Sequence, residues 1–246
     1  MTIAARFEAA VAASSGPDVA GPELLPVRLA RGCAAMLRVD GAGISLVDAS
    51  QQRVPLGASH EDAEVAERLQ FTVGEGPCMT AQNARQPVFA VEEDLQRRWP
   101  VFAGLLASST PYRAVVGLPL QPALAGPGAI DLYFEDPDTV PDLDVFEALA
   151  VGELVTSALS DASVWSAWSP AEGPEWLQGP VPRRRAAVWE AIGKISVDLE
   201  VGATAALALM RAAAFAGGRT VDDVAADLLD GRLRAMDLVR VDDGAA

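Results

Sequence analysis

The chain has 246 residues, half of them apolar, and a formal net charge of −15. Its length suits two modest domains or one large one, and its apolar content is enough for a packed core, which excludes wholesale disorder. So acidic a chain is not a sequence-independent binder of polyanions as a whole. The charge is uneven, however: residues 183–246 carry nine basic and ten acidic side chains, leaving −14 on the first 182.

Arg6 and Glu8 interrupt the N-terminal residues, so no signal peptide is expected. No charge-poor apolar window reaches about 18 residues, so no transmembrane helix is expected and the cytoplasm is the expected location. Cys33 and Cys78 stand apart with no second cluster of ligating residues, which is neither a disulfide framework nor a metal site.

In chain order, helical patterning covers Ile3–Ala13 and Glu23–Leu37, separated by Ser14-Ser-Gly-Pro17. Five strands follow at Gly43–Val47, Arg53–Gly57, Pro87–Val91, Arg113–Leu120 and Ala129–Phe134. Helix–loop segments occupy Glu61–Gln86 and Asp94–Thr110. The Pro- and Gly-rich stretch Gln121–Gly128 suits an antiparallel hairpin between the last two strands. From Pro141 to Leu159 the apolar residues return to helical spacing. This predicts an α+β domain, an antiparallel sheet with flanking helices. A linker is expected from residue 161 to 182, where repeated prolines oppose regular structure and Trp165, Trp168 and Trp176 gather.

The segment Gly74-Glu-Gly-Pro-Cys78 lacks the Gly-Lys-Ser/Thr of a phosphate loop. Cys78 has no His or Lys near it in sequence to stabilise a thiolate, so a small buried residue is expected there. His60, the sole histidine, is expected in a solvated loop.

Leu69–Ala81, Gln86-Pro-Val-Phe89, Arg98-Trp-Pro-Val-Phe102 and Val116-Gly-Leu-Pro-Leu120 together resemble a GAF sensor domain over residues 17–160, preceded by a helical segment at 1–16. The resemblance implies a small-molecule or redox pocket between the sheet and the two helix–loop segments. Its wall would come from Leu46, Phe71, Phe89, Trp99, Phe102, Tyr112 and Phe134; the ligand or cofactor is unknown. The signature of cyclic-nucleotide-binding members is missing. A glycine-rich segment ending in cysteine also resembles GAF-type enzymes that reduce methionine sulfoxide, but Cys33 does not match their second cysteine.

At the C-terminus, Val188, Ile192, Ile195 and Leu199 form an apolar helical stripe. Gly193 sits within that helix and implies close approach by another backbone. Thr204 can open a second helix, which buries Ala206, Leu209, Met210 and Ala213 and stops at Gly217-Gly218. Thr220-Val-Asp-Asp223 opens a third, which buries Val221, Val224, Ala225 and Leu228.

Ala191-Ile-Gly193, the Ala205–Phe215 helix and Gly218–Ala225 resemble the ANTAR module, a three-helix RNA-binding antiterminator, over residues 183–240, followed by a tail at 241–246. The resemblance implies a homodimeric, non-enzymatic regulator that binds RNA hairpins in nascent transcripts and responds to a signal in the first domain. Candidate RNA contacts are Arg184, Arg185, Trp189, Lys194, Arg211 and Arg219, with Arg232 and Arg234 weaker. The alternatives are a protein-interaction module without RNA and a cysteine-dependent methionine sulfoxide reductase; near-neutral charge favours the former.

Overall fold

A computed structural model describes residues 1–47, 53–121, 127–165 and 173–239. The expectations placed on Trp168, on the last residue of the 183–240 module and on the 241–246 tail fall outside them. The chain divides into two units, Met1–Gln70 with Glu75–Pro182, and Phe71–Gly74 with Arg183–Ala246.

The first unit is built on five strands, β1 (Gly41–Val47), β2 (Arg53–Ala58), β3 (Val88–Ala90), β4 (Ala114–Leu120) and β5 (Gly128–Phe134). They form one sheet in the order β2-β1-β5-β4-β3, and each neighbouring pair is antiparallel. The helices of this unit are α1 (Ile3–Ala13), α2 (Leu25–Leu37), α3 (Glu61–Val73), α4 (Pro77–Ala84), α5 (Glu92–Arg98), α6 (Pro100–Ser109) and α7 (Val145–Trp165). The last three residues of α3 belong to the second unit.

Strand alternation divides the sheet chemically, because successive side chains leave on opposite faces. Ile44, Leu46, Val116, Leu118, Ile130, Leu132 and Phe134 join one apolar core with Leu29, Ala30 and Cys33 of α2 and Val151, Val155 and Leu159 of α7. Phe7 of α1 belongs to the same core, so the N-terminal helix is part of this unit's packing. The intervening positions Ser45, Asp131 and Tyr133 are also buried but polar. A strand buried on both faces is ordinary in a two-sided layer; a polar second face is not.

Two glycines make room on that polar face. A Cβ on Gly43 would overlap the Glu67 carboxylate of α3, and one on Gly76 would overlap the Gln70 side-chain oxygen. Gly76 also adopts φ 156°, a conformation that side chains other than glycine's rarely reach. The turn before α4 is therefore specified twice.

The proline-rich stretch is more regular than its composition predicts. Residues Glu175–Gln178 form a 3-10 turn, and α8 runs from Pro180 to Leu199. Pro180 and Pro182 are tolerated because the first turn of a helix has no internal acceptor for their missing N–H groups.

In the second unit α8 packs with α9 (Ala203–Ala216) and α10 (Val221–Leu229). Val188, Ile192, Ile195, Ala206, Met210, Val221, Val224 and Leu228 share one core, and Leu199, Leu209 and Ala213 pack half-buried against it. Gly202, not Thr204, caps α9. Thr220 caps α10 in a capping box: its hydroxyl accepts from Asp223 N at 3.3 Å, and Asp223 Oδ2 accepts from Thr220 N at 2.9 Å. Among the described residues no single helix is long and apolar enough to cross a membrane.

Gly193 corrects an expectation. Among the described residues nothing lies within 4 Å of a Cβ built there, so no described backbone of this chain approaches it. Gly193→Ala should therefore raise the stability of the folded chain by about 1 kcal/mol through helix propensity alone. Urea unfolding measures this directly, and a destabilised variant would show that another surface does press on this position.

Candidate functional site

The polar face of the sheet holds a buried cluster drawn from five segments of chain. Arg53 enters from the start of β2, Glu67 and Gln70 from α3, Cys78 from α4, and Asp131 and Tyr133 from β5, with Ser45 of β1 at its side. Each of these residues is 9 % exposed or less. One guanidinium organises them. Arg53 Nη2 donates to Glu67 Oε2 at 2.8 Å, lies 2.8 Å from Cys78 Sγ and 3.5 Å from Asp131 Oδ2, and Nε donates to Ser45 Oγ at 3.2 Å. Tyr133 OH donates to Glu67 Oε1 at 2.8 Å. Gln70 joins the two halves: its amide donates to Asp131 Oδ2 at 2.8 Å, and its oxygen accepts from Cys78 N at 3.2 Å.

Charge balance sets the protonation of this cluster. Two carboxyl groups face one guanidinium, and an uncompensated charge in such surroundings is expensive. Burial, then the nearby Glu67, push Asp131 well above its ordinary value of 3.8, against the pull of Arg53. Glu67 accepts from donors at both oxygens, the pattern of an ionised carboxylate. The neutral arrangement is thus Arg53 cationic, Glu67 anionic and Asp131 protonated. Asp131 Oδ1 has no hydrogen-bond partner among the described residues.

Cys78 is the small buried residue expected, but it is not isolated. Burial raises its thiol well above 9.0, and the opposing pull of Arg53 does not restore it. The group is held as a thiol, which is the unreactive form. Cys33 lies in the apolar core on the other face of the sheet, and burial pushes it up to about 12. Neither cysteine is placed to resolve the other, which weighs against reductase chemistry. Among the described residues no three His, Cys, Asp or Glu side chains converge as metal ligands.

His60 is exposed, as expected of a loop histidine, yet both ring nitrogens are engaged. Nδ1 lies 2.8 Å from Ser59 Oγ and Nε2 2.8 Å from Tyr112 OH. The proposed pocket wall does not assemble. Leu46 and Phe134 point into the apolar core on the α2–α7 side, a consequence of strand alternation. Phe89 is 39 % exposed, while Trp99 and Phe102 are buried. Phe71 belongs to the core of the second unit. Tyr112 does border a groove of about 190 Å³ between α5 and α6, with Leu95, Gln96 and Arg113.

The candidate RNA contacts are also redistributed. Arg185 is 1 % exposed, pairs with Asp222 at 3.3 Å and lies 3.3 Å over the Phe71 ring. Arg211 donates to the Phe71 carbonyl at 3.0 Å and is half-buried. The Trp189 and Phe71 rings pack in a T-shape with centroids 5.9 Å apart. These three build the interior of the second unit, so the expectation of outward-pointing groups does not hold for them; a buried guanidinium stays only where a carboxylate and a ring face receive it. Arg184 is exposed. Lys194 faces Asp198 at 3.5 Å, and Arg219 pairs with Asp227. Arg232 pairs with Asp227 at 2.6 Å and Arg234 with Asp237 at 2.9 Å.

No protein-family model and no curated protein matches this sequence. Among solved structures, the chain is similar to a domain of a protein described as a two-component sensor histidine kinase from Sinorhizobium meliloti 1021, at 18 % identity and a TM-score of 0.44, covering 58 % of this chain and 94 % of that one. It is similar to the GAF domain of a phosphoenolpyruvate-protein phosphotransferase from Acinetobacter, at 12 % identity and a TM-score of 0.43, covering 67 % and 96 %. The corresponding domain from Coxiella burnetii aligns at 12 % identity and a TM-score of 0.43, covering 66 % and 93 %. Likeness at this level carries no weight for function.

The charge arrangement predicts opposite outcomes for two neighbouring substitutions. Arg53→Met leaves Glu67 buried without its cation and should cost about 3–5 kcal/mol. Asp131→Asn replaces a group that is already neutral and should be tolerated near pH 7. A carboxyl with a raised folded pKa adds stability that is complete below its unfolded pKa and is lost as pH rises towards the folded one. Denaturant titrations should therefore show wild-type stability falling, relative to Asp131→Asn, as pH climbs from about 4. Parallel curves would show that Asp131 is ionised.

Proposed function

We propose that the protein is a signal-responsive regulator in which the sheet unit senses and the C-terminal helical unit delivers the output by binding RNA hairpins, with transcription antitermination as the consequence. The sensing half rests on the Arg53 cluster, the observation that carries this reading. A buried set of groups with one cation, one anion and one protonated acid changes its charge balance when a single proton moves, which suits a switch better than a scaffold.

The output half rests on the resemblance of residues 183–240 to ANTAR and on a compact three-helix unit with its own core. RNA contacts would come from the exposed cations alone. Lys194 and Arg234 are each paired with one carboxylate near the surface, while Arg219 shares Asp227 with Arg232, which also pairs with Asp230. Exposed pairs of this kind are worth about 0–1 kcal/mol, so a phosphate can replace the carboxylate. Arg185 and Arg211 would act only by holding the unit together. A homodimer would double the basic rim and match paired hairpins.

One observation favours a second reading, in which this unit binds a protein instead. A groove of about 800 Å³, lined mainly by Leu199, Val201, Ala205, Leu209, Met236 and Val239, opens at the junction of α8, α9 and the 3-10 turn Ala235–Leu238. Met236 is 56 % exposed beside it. An apolar partner surface would fill such a groove.

Filter binding of a double-hairpin RNA to the full chain separates the two readings. The RNA reading expects a salt slope of about −2 to −4 in the log–log plot and a marked loss of retention on joint substitution of Arg184, Lys194 and Arg219 by alanine. Retention that ignores both salt and those substitutions would leave the protein-partner reading.

A further inference from the structure

The chain contains one histidine and two tyrosines, and the fold brings all three into a single line. His60 Nε2 lies 2.8 Å from Tyr112 OH. The Tyr112 and Tyr133 rings stack at 4.9 Å between centroids and 19° between planes. Tyr133 OH donates to Glu67 Oε1 at 2.8 Å, and Glu67 Oε2 accepts from Arg53. Both rings are fully buried, whereas His60 is exposed.

Two tyrosines placed at random would not each meet a base. Here Tyr112 has an imidazole and Tyr133 a carboxylate, and the rings touch face to face. Burial, followed by the neighbouring acids, holds both phenols above their ordinary range, so neither loses a proton on its own. Removal of an electron makes a phenol strongly acidic, and each ring then has an acceptor already in hydrogen-bond contact.

We propose that the Tyr112–Tyr133 pair, whose rings are buried, is a site of one-electron oxidation by outer-sphere one-electron oxidants. Its use as the input of the sensing unit rests on the function proposed above; the oxidation itself does not. The oxidant takes one electron from Tyr112 and leaves in its one-electron-reduced form, ruthenium(II) for a ruthenium(III) complex. The phenolic proton passes to His60 Nε2, in the tautomer whose Nδ1–H faces Ser59 Oγ, giving a neutral tyrosyl radical and a surface imidazolium. Tyr133 then gives an electron to the Tyr112 radical while His60 returns its proton to Tyr112. The Tyr133 proton moves to Glu67 Oε1. One electron has left the protein, and no atom has.

The second step changes the cluster. Glu67 becomes neutral and Asp131 is already protonated, so Arg53 is left as a buried cation without a counter-ion. The fold relieves this by moving Arg53 or by admitting water, and either is a structural signal that only the oxidised state selects.

Flash oxidation of the full chain with photogenerated tris(bipyridyl)ruthenium(III), followed by freezing and electron paramagnetic resonance, tests the proposal. Because the chain has no other tyrosine, any tyrosyl spectrum comes from this pair. Tyr133→Phe should retain a tyrosyl signal, now confined to Tyr112. Tyr112→Phe should cut the tyrosyl yield by about tenfold or more, and His60→Ala should do likewise with recovery in free imidazole. Circular dichroism identifies any variant that fails to fold, and His60→Ala, altered at an exposed side chain, keeps the test decisive if Tyr112→Phe does not. Tryptophan radicals alone in the folded wild type, or an undiminished tyrosyl yield in His60→Ala, would overturn the oxidation site. An oxidised chain whose RNA retention equals that of the reduced chain would overturn its role as input, whereas a chain that never retains RNA refutes the output reading and leaves the radical result standing.

Discussion

One guanidinium buried among two carboxyl groups and a thiol sets the terms for the whole sheet unit. A charge in such surroundings persists only if its neighbours neutralise it and fill its remaining hydrogen-bond positions. Arg53 therefore demands an anionic Glu67, a protonated Asp131 and the Ser45 hydroxyl as its acceptor, while Tyr133 fills the second oxygen of Glu67. The backbone follows the same demand. Gly43 is bare because Glu67 lies against it, and Gln70 bridges Asp131 to the first turn of α4 through the Cys78 N–H. The second face of the sheet is thus organised by electrostatics, the first by apolar packing.

The helical unit solves a smaller version of the same problem. Arg185 is buried against Asp222 and covers the Phe71 ring, while Arg211 reaches the Phe71 carbonyl and Thr72 Oγ1 accepts from Val221 N at 3.1 Å. A short segment distant in sequence, Phe71–Gly74, is as integral to this core as the three helices. Its consequence for function is subtractive. Two guanidinium groups that would otherwise face a polyanion are committed to the interior, and output through RNA falls to cations whose carboxylate partners lie near the surface.

How much of this was legible in the sequence depended on whether the information was local. The strands emerged within two residues of their expected limits because alternating apolar runs ended in glycine and proline, and α1 matched its expected span. The capping box at Thr220 and the stripe Val188–Ile192–Ile195 were visible for the same reason. The Arg53 cluster was not, because its members come from positions 45, 53, 67, 70, 78, 131 and 133 and only the closed sheet unites them. One clue was available: Asp131 stands in the middle of the apolar run Ala129–Phe134, where an acid needs a buried partner. Large apolar residues are poor guides to a pocket here, since Leu46 and Phe134 fill ordinary core and Phe71 packs with α8–α10. Arginines are equally poor guides, because a helical position does not reveal whether its guanidinium ends in water or on a ring.

Infrared difference spectroscopy of wild type against Asp131→Asn at neutral pH tests the central claim most directly. A protonated carboxyl buried beside Arg53 should give a C=O band that shifts on isotopic exchange of its proton and is missing from the variant. A wild-type spectrum with carboxylate bands alone would contradict the account, because Arg53 would then face two anions and the cluster would have no proton to move.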